Sequence, residues 1–339
     1  MTCASPRFAL DEPRSPAETV VIVGTYNNAD HVQATIASLR MQTYGHWACI
    51  VVDNGSTDQT VAELHGLVGG DPRFRLICKR NEGPSAGRNL GLREAPCDAA
   101  FIHFLDGDDL LHRGFLLELT DYLRAHPQVG LVGCQFDVID AAGQVSGPGE
   151  RSRWAPSRWG LPRKLPDTQV DTPFEAFFSA TGQGPFALFR ASVLRQTSGY
   201  EEDFWSHEDA DIFCQMALLA PVHYLPARLY QKRVHGHNLT ASPKADYSKF
   251  RNKWDHIRLA DADQDSRIDG ALRYYHGMHL PFRHFKVAVL AAGEWIGKRH
   301  PGSLRWCLIC LRNGFADLLL RRSLRARLRA RRAHSTDIS

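Results

Sequence analysis

Short apolar runs alternate with amphipathic segments along the N-terminal part of the chain. The apolar runs are rich in β-branched and aromatic residues, as buried strands are, and they span residues 19–24, 47–52, 74–78, 99–105 and 129–136. The segments between them repeat apolar residues at helical spacing, as Val32, Ile36 and Leu39 do on one face. This alternation predicts an α/β domain with a doubly wound, mostly parallel sheet flanked by helices.

The pattern changes after Asp140. Residues 141–171 are rich in Gly, Pro, Arg and Trp and predict a loop over the candidate site, whereas residues 207–218 predict a helix. Further strands are expected at residues 186–190, 222–225 and 229–234. The pattern is helical from Tyr247 onward. We therefore expect a loose leader at residues 1–18, the α/β domain at 19–240 and a helical C-terminal region with a basic tail at 241–339.

Composition indicates what kind of protein this is and in which cellular compartment it is expected. The 339 residues are 43% hydrophobic and 23% charged, which is ordinary for a globular protein, and a net charge of +4 gives no reason to expect nucleic acid as a partner. The eight cysteines include one CxxC pair, Cys307 and Cys310, within an apolar run, and all eight are expected to be reduced. The chain shows neither a signal-peptide core nor an apolar run long enough to span a bilayer. We expect a cytoplasmic protein whose contact with a membrane, if any, is peripheral at the inner face.

Three acidic residues, Asp106, Asp108 and Asp109, follow directly after the fourth apolar run. Like charges at the end of a buried strand need a partner, and hard carboxylate oxygens suit Mg²⁺ or Mn²⁺ bound to a diphosphate. An EF-hand is excluded because Leu111 stands where that loop needs Gly and Leu117 where it needs Glu. A phosphatase nucleophile is disfavoured because it usually lies on the first strand. The remaining alternative is a solvated turn that caps the next helix.

Two further stretches have the chemistry of a nucleotide site. Asp53 ends the second strand, where it can accept a hydrogen bond from a base or a ribose, or only cap the next helix together with Asp58. The turn GPSAGRNLG permits close backbone approach, and its Arg88 can reach a phosphate. This turn matches neither the dinucleotide fingerprint nor the P-loop.

Acidic and imidazole groups recur in the C-terminal part of the domain. Glu208 and Asp209 begin the predicted helix, where they either face the acidic triplet or only complement the helix dipole. His235 or His237 could complete a metal shell or contact a diphosphate, although a lone histidine is more often exposed or packed. Their spacing is too loose for a zinc site.

The order of these stretches resembles the family 2 glycosyltransferases of the GT-A fold. The matching stretches are VVIVGTYNNADHVQATIASLRMQTY, VVDNGSTDQT, GPSAGRNLGL, FLDGDD, HEDADI and RVHGHNLT, spread over residues 19–240. Each alone is weak, but the ordered set is specific. The resemblance implies a nucleotide-sugar donor, a divalent metal and inversion at the anomeric carbon.

The resemblance also assigns roles to individual residues. The nucleotide would be bound by Thr25, Tyr26, Asn27, Asp53, Arg88 and Asp106. Asp106 and Asp108 form the DxD motif, and the metal would be held by Asp108, Asp109 and His235. Asp209 corresponds to the general base, and Glu208 is the next candidate for that role. Residues 181–194 would help to shape the donor-sugar and acceptor pocket.

The expected function is therefore inverting transfer of a sugar from a nucleotide-sugar, with UDP as the expected carrier, to a hydroxyl of a glycan or lipid-linked acceptor in cell-surface polysaccharide synthesis. One alternative is a sugar-phosphate nucleotidyltransferase, which would share the fold and the metal. It is disfavoured because TYNN stands where that class has a Gly-rich, Lys-containing loop. The other alternative is a non-catalytic carbohydrate-binding protein of the same fold.

The C-terminal tail contains seven arginines and no acidic residue within residues 321–332. On a helix, Leu320, Leu324 and Leu328 would form one stripe with arginines beside it. Such a helix can lie on an anionic membrane surface. The alternatives are a solvated terminal helix and a disordered basic tail.

Overall fold

The computed structural model describes residues 17–149, 154–156, 162–164, 186–203 and 208–236. The chain divides into two compact units, residues 1–155 with 163–255 and residues 156–162 with 256–339. All helices among the described residues belong to the first unit. The expected leader, apart from residues 17 and 18, and the expected C-terminal region lie outside the described residues.

Four parallel strands form the N-terminal half of the main sheet, in the order β3-β2-β1-β4. They are β1 (Thr19–Thr25), β2 (Trp47–Asp53), β3 (Phe74–Cys78) and β4 (Phe101–Asp106). Each lies within two residues of its predicted position. Residues 20–23 of β1 are completely buried, as expected for a parallel strand covered on both faces.

Helices alternate with these strands. They are α1 (Val32–Arg40), α2 (Thr60–Val68), α3 (Pro84–Glu94) and α4 (Phe115–Ala125). α1 buries Val32, Ile36 and Leu39, the apolar face that the sequence predicted. α3 lies close against the sheet because a Cβ on its Gly91 would be 2.3 Å from Cγ2 of Ile22 on β1. This close packing holds the side chains of α3 near the strand ends.

The rest of the described chain adds seven strands and two helices. They are β5 (Leu110–Leu111), β6 (Leu131–Ile139), β7 (Val145–Pro148), β8 (Trp154–Pro156), β9 (Pro162–Lys164), β10 (Ala187–Arg190), α5 (Ala191–Leu194), α6 (Glu208–Leu219) and β11 (Val222–Arg233). The main sheet continues from β4 in the order β10-β6-β11-β5, with β7 beside β6, while β8 and β9 form a separate pair. β10 is antiparallel to both neighbours, and β6 and β11 are parallel.

Two predictions for this part of the chain need correction. The two strands expected at residues 222–225 and 229–234 are one strand, β11, whose pairing with β6 shifts register between Tyr224 and Tyr230. The middle of the strand, where the pairing is irregular, is partly exposed and contains Pro226, so the sequence pattern of one strand looks like two. The loop expected over residues 141–171 contains three short strands, β7, β8 and β9, and β7 follows a tight turn at Gly143, where φ is +83°.

The parallel register brings three strand ends to one edge of the sheet. Thr25 at the end of β1 pairs with Asp53 at the end of β2, and Gly24 pairs with Asp106 at the end of β4. Candidate residues from three separate stretches therefore meet at this edge. In the described part of the chain, no helix has both the length and the apolar character needed to cross a membrane.

Candidate active site

An acidic cluster lies where β4 ends. Asp106 is the last residue of β4, and Asp108 and Asp109 follow in the turn before β5. One carboxylate oxygen from each of the three residues lies within 4.8 Å of those from the other two. Carboxylate oxygens grouped in this way are of the type that Mg²⁺ and Mn²⁺ prefer.

Burial and mutual repulsion disfavour the ionised form of two carboxylates in the cluster. Burial and the neighbouring Asp106 raise the pKa of Asp108, although His235 opposes the shift. Burial and the charges of Asp108 and Asp106 raise the pKa of Asp109 well above its usual range. A divalent cation would relieve this repulsion and keep the carboxylates ionised.

Strand β11 orients two members of the cluster from the other side. The Tyr230 hydroxyl and the Arg233 backbone N–H each donate to the Asp109 carboxylate at 2.7 Å. The Arg233 side chain donates from Nε to the Asp108 carbonyl, also at 2.7 Å. Just beyond the strand, Nε2 of His235 lies 2.9 Å from Oδ2 of Asp108. Both oxygens of Asp109 are thus engaged by β11, whereas Asp108 faces an imidazole.

Arg88 on α3 joins the acidic cluster to the start of α6. Its Nη2 donates to Oδ1 of Asp106 at 2.8 Å, and its Nη1 donates to Oε1 of Glu208 at 2.9 Å. Only 5% of Arg88 is exposed. Burial acts against its charge, but Asp209, Asp106 and Glu208 outweigh burial and raise the pKa of Arg88. The contact brings the acidic pair of α6 to the same site as the triplet, which sequence could not show.

Asp209 has the environment of a base that works near neutral pH. Its Oδ1 atom is completely buried and, among the described residues, has no hydrogen-bond partner. Burial raises the pKa of Asp209 to about 7, with Arg88 opposing the shift and Glu208 and Asp106 adding to it. A carboxylate with this pKa can hold a proton at physiological pH and still be ionised half of the time.

The end of β1 forms a second part of the site. Asn27 is the one described residue other than glycine with a positive φ, 52°, and its Oδ1 accepts from the Thr57 N–H at 2.8 Å. Oδ1 of Asn28 accepts from the Thr25 hydroxyl at 3.0 Å. The side chain of Tyr26 is 44% exposed beside this ordered turn. The segment is thus tied to the loop after β2 with one aromatic ring left accessible.

The loop after β2 is organised by its acidic residues. Asp53 is 1% exposed, and its Oδ2 accepts from the N–H groups of Gly55 and Ser56 at 3.1 and 3.0 Å. Asp58 accepts from the Thr60 N–H at 2.9 Å and from the Ala29 N–H at 3.2 Å, so it ties the start of α2 to the loop after β1; the N-cap position itself is Gln59, which makes no side-chain cap hydrogen bond. Asp53 orders the turn and lies opposite Thr25 at the sheet edge.

Sequence reasoning missed several residues of the site. The His31 ring centroid lies 5.0 Å from that of His235, and burial, with Arg233 and His235 nearby, lowers the pKa of His31. Tyr200 packs against the Arg88 guanidinium, 5.2 Å from the ring centroid. No spacing or charge pattern marks either residue, because both reach the site through tertiary packing. His237 and residues 181–185 lie outside the described residues.

Comparison with known proteins identifies the class to which this fold and site belong. Residues 20–197 match the family model described as glycosyl transferase family 2, and the chain belongs to this family. An uncharacterized glycosyltransferase of Rickettsia felis is 39% identical over 93 residues, which are 27% of this chain and 15% of that protein. Chondroitin synthase of Escherichia coli is 24% identical over 229 residues, 68% of this chain and 30% of that protein. The matches thus span less than a third of either relative.

The fold has solved counterparts. The crystal structure of S. aureus TarS 1-349 in complex with UDP-GlcNAc superposes with a TM-score of 0.63 at 19% identity, covering 88% of this chain and 81% of that chain. Its complex with UDP gives a TM-score of 0.58. The predicted GT-A-like α/β fold and the resemblance to family 2 are confirmed.

Proposed function

We propose that this chain is an inverting glycosyltransferase that moves a sugar from a UDP-sugar to a hydroxyl of a glycan or lipid-linked acceptor, in cell-surface polysaccharide synthesis. The observation that carries the proposal is the placement of Asp209 and the acidic triplet on either side of Arg88. The S. aureus TarS structures with UDP-GlcNAc and UDP, and the chondroitin synthase relative, support the donor and acceptor classes.

The nucleotide end of the donor would lie at the edge formed by β1 and β2. Tyr26 offers an exposed ring, and Thr25, Asn27 and Asp53 form the ordered turn around it. Arg88 and Asp106 would lie toward the diphosphate. The fixed turn lowers the ordering cost of binding, because its hydrogen bonds are present before the ligand arrives.

Asp106, Asp108 and Asp109 would hold Mg²⁺ or Mn²⁺, with His235 as a further ligand or as the group that orients Asp108. When bound, the metal stabilises the negative charge that develops on the leaving diphosphate. The set fits such an ion because it presents hard oxygen ligands whose burial and mutual repulsion raise the pKa values of Asp108 and Asp109.

Asp209 would act as the general base, with Glu208 as the next candidate. Its carboxylate takes the proton of the acceptor hydroxyl as that oxygen attacks the anomeric carbon. The bond between the anomeric carbon and the diphosphate oxygen breaks on the opposite side, so the configuration inverts and the nucleoside diphosphate leaves. The proton ends on Asp209, whose pKa of about 7 suits both uptake and later release.

A cytoplasmic location, with peripheral contact at the inner face of the membrane, is part of the same proposal. The thiols of Cys49 and Cys97 form no disulfide in the described part of the chain, which is compatible with a reducing compartment. The Arg-rich tail, which lies outside the described residues, is the segment proposed to contact anionic lipid.

Donor binding and UDP release test the function. A panel of nucleoside diphosphates and nucleotide-sugars is screened by thermal shift with and without Mn²⁺, since a ligand of the folded state raises Tm. We expect UDP-sugars with Mn²⁺ to raise Tm, and the sugar-transfer reaction to release UDP. Pyrophosphate release from a sugar phosphate and a nucleoside triphosphate would instead indicate a nucleotidyltransferase. Donor binding without any UDP release would indicate a non-catalytic binding protein.

A further inference from the structure

Two buried oxygen atoms near the start of α6 lack hydrogen-bond partners among the described residues. They are the hydroxyl of Tyr200 and Oδ1 of Asp209. A buried polar atom without a partner is costly and uncommon in a folded protein. One of the two atoms is a hydrogen-bond donor, and the other is an acceptor when ionised. The Tyr200 hydroxyl can therefore supply the donor that Oδ1 of Asp209 lacks, and Oδ1 of Asp209 can supply the acceptor that the hydroxyl lacks.

α3 fixes the position of Tyr200. Nδ2 of Asn89 donates to the Tyr200 carbonyl, and Oδ1 of Asn89 accepts from the Tyr200 N–H, both at 2.8 Å. The tyrosine ring packs edge-on against Phe104 of β4, with ring centroids 4.9 Å apart. On α3 the neighbouring Arg88 covers the ring at 5.2 Å. The backbone and the ring of Tyr200 are therefore both restrained.

α6, the helix that carries Asp209, restrains the same loop. Oε1 of Gln215 accepts from the Ser198 N–H at 2.9 Å, and its Nε2 donates to the Gly199 carbonyl at 3.0 Å. Gly199 has a φ of +76°, which glycine adopts without strain. The loop is thus tied to α3 on one side and to α6 on the other, so Tyr200 and Asp209 keep a fixed relation.

The charged groups around Asp209 supply few hydrogen-bond donors to its carboxylate. Arg88, Glu208, Asp106 and Lys232 are the charged groups that act on it. Arg88 directs its two described hydrogen bonds to Asp106 and Glu208. Burial and the charge of Asp209 keep the Tyr200 phenol protonated, because both raise its pKa. Tyr200 is therefore a permanent donor next to the proposed base.

We propose that Tyr200 is the positioning residue of the general base: its hydroxyl donates to a buried water that in turn donates to Oδ1 of Asp209, and Oδ2 is left to accept the proton of the acceptor. This inference rests on the proposed role of Asp209. The hydrogen bond holds the carboxylate in one orientation and stabilises its ionised form. Tyr200 itself is too buried to touch the substrate.

The test compares Tyr200→Phe with wild type and with Tyr122→Phe, a matched control whose hydroxyl contacts His223 at 2.8 Å. The probe is hydrolysis of UDP-GlcNAc and UDP-glucose with Mn²⁺, followed as UDP release across a range of pH. We expect the acidic limb of the kcat–pH profile of Tyr200→Phe to lie about one pH unit higher than that of wild type. At pH values below the limb, kcat should be about tenfold lower than in wild type, and at pH values above the limb it should equal the wild-type kcat. UDP affinity should not change. A limb equal to that of wild type would overturn the inference.

A second readout does not depend on turnover. The Asp209 carboxyl is followed by ¹³C NMR in aspartate-labelled protein, with the signal assigned through Asp209→Asn. The titration midpoint should rise in Tyr200→Phe and stay unchanged in Tyr122→Phe. Failure of wild type to release UDP would refute the proposed function, whereas equal midpoints in wild type and Tyr200→Phe would refute the role of Tyr200. Phenylalanine keeps the ring packing, and equal Tm values check that the fold is intact.

Discussion

Nε2 of His235 lies 2.9 Å from Oδ2 of Asp108, although the two residues are 127 positions apart. The contact is made because β11 runs along β6 and ends beside the turn after β4. An imidazole in this place fixes the direction in which the Asp108 carboxylate points. It also brings a residue from beyond the family-matched span of residues 20–197 to the proposed metal site.

Asp108→Asn should abolish metal-dependent donor binding and leave the fold intact, because it removes an anionic ligand without changing the side-chain shape. The measurement is the Tm increase caused by UDP with Mn²⁺. Asp121→Asn is the matched control, since Asp121 pairs with Arg124 on the surface of α4. Binding by Asp108→Asn equal to that of wild type would remove Asp108 from the metal site.

His235→Ala should weaken metal binding without abolishing it, if the imidazole mainly orients Asp108. Loss of such an orienting partner typically lowers metal affinity by about ten- to a hundredfold. A Mn²⁺ titration at saturating UDP measures the change, and the exposed His65→Ala serves as control. An unchanged Mn²⁺ affinity would show that His235 has no part in the site.

Asp209→Asn should lose turnover and keep donor affinity, because the base acts on the acceptor hydroxyl. General-base catalysis contributes roughly 10²- to 10⁴-fold, so kcat should fall by that order. UDP release and the UDP-induced Tm shift are measured in the same preparation. If Asp209→Asn keeps the turnover of wild type, Glu208→Gln becomes the variant to examine.

The parallel half of the sheet could be predicted closely from sequence, and the antiparallel half less well. β1 and β4 are covered on both faces, so their residues form continuous apolar runs. The position of β10 between β4 and β6 was not predictable, because strand order depends on pairing and not on periodicity. For β11, irregular register broke the sequence pattern of one strand into two.

The same distinction holds for the candidate site. Asp53 and Asp106 were predictable because each ends a recognisable strand, and parallel strand ends meet at one edge. The contact of Arg88 with Glu208 spans 120 positions and depends on how α3 and α6 pack. Tyr200 looks like an ordinary core tyrosine in sequence, since its neighbours come from other elements.

The Arg-rich tail predicts binding to anionic membranes. Each arginine near such a surface contributes on the order of 1 kcal/mol, so several together could hold the protein at low salt. Co-sedimentation with vesicles that contain anionic lipid compares the full chain, a form ending at Asp317, and a full chain with the tail arginines changed to glutamine. Both variants should bind less, and salt should release the full chain. Equal binding by all three, or binding insensitive to salt and lipid charge, would contradict the prediction.

Buried His103 should make the fold sensitive to acid. Its Nδ1 lies 2.8 Å from the Ala187 carbonyl oxygen, so Nδ1 carries the proton, and its buried Nε2 has no partner among the described residues. Burial lowers the pKa of His103 to about 4 from the usual 6.5. The unfolded chain therefore binds the proton more readily than the folded protein between these values. The contribution of His103 to the free energy of unfolding is fully present above the pKa of the unfolded chain. It is lost as the pH falls toward 4, and the total loss is about 3 kcal/mol.

Urea unfolding of wild type and His103→Gln on both sides of this window measures the effect. Glutamine can still donate to the Ala187 carbonyl but does not titrate, so the variant should lose less stability on acidification than wild type does. Other groups titrate in the same range, and for this reason the difference between the two slopes is the quantity compared. The exposed His65→Gln should follow the wild-type slope. Parallel curves for wild type and His103→Gln would mean that His103 is not the group whose protonation opposes folding.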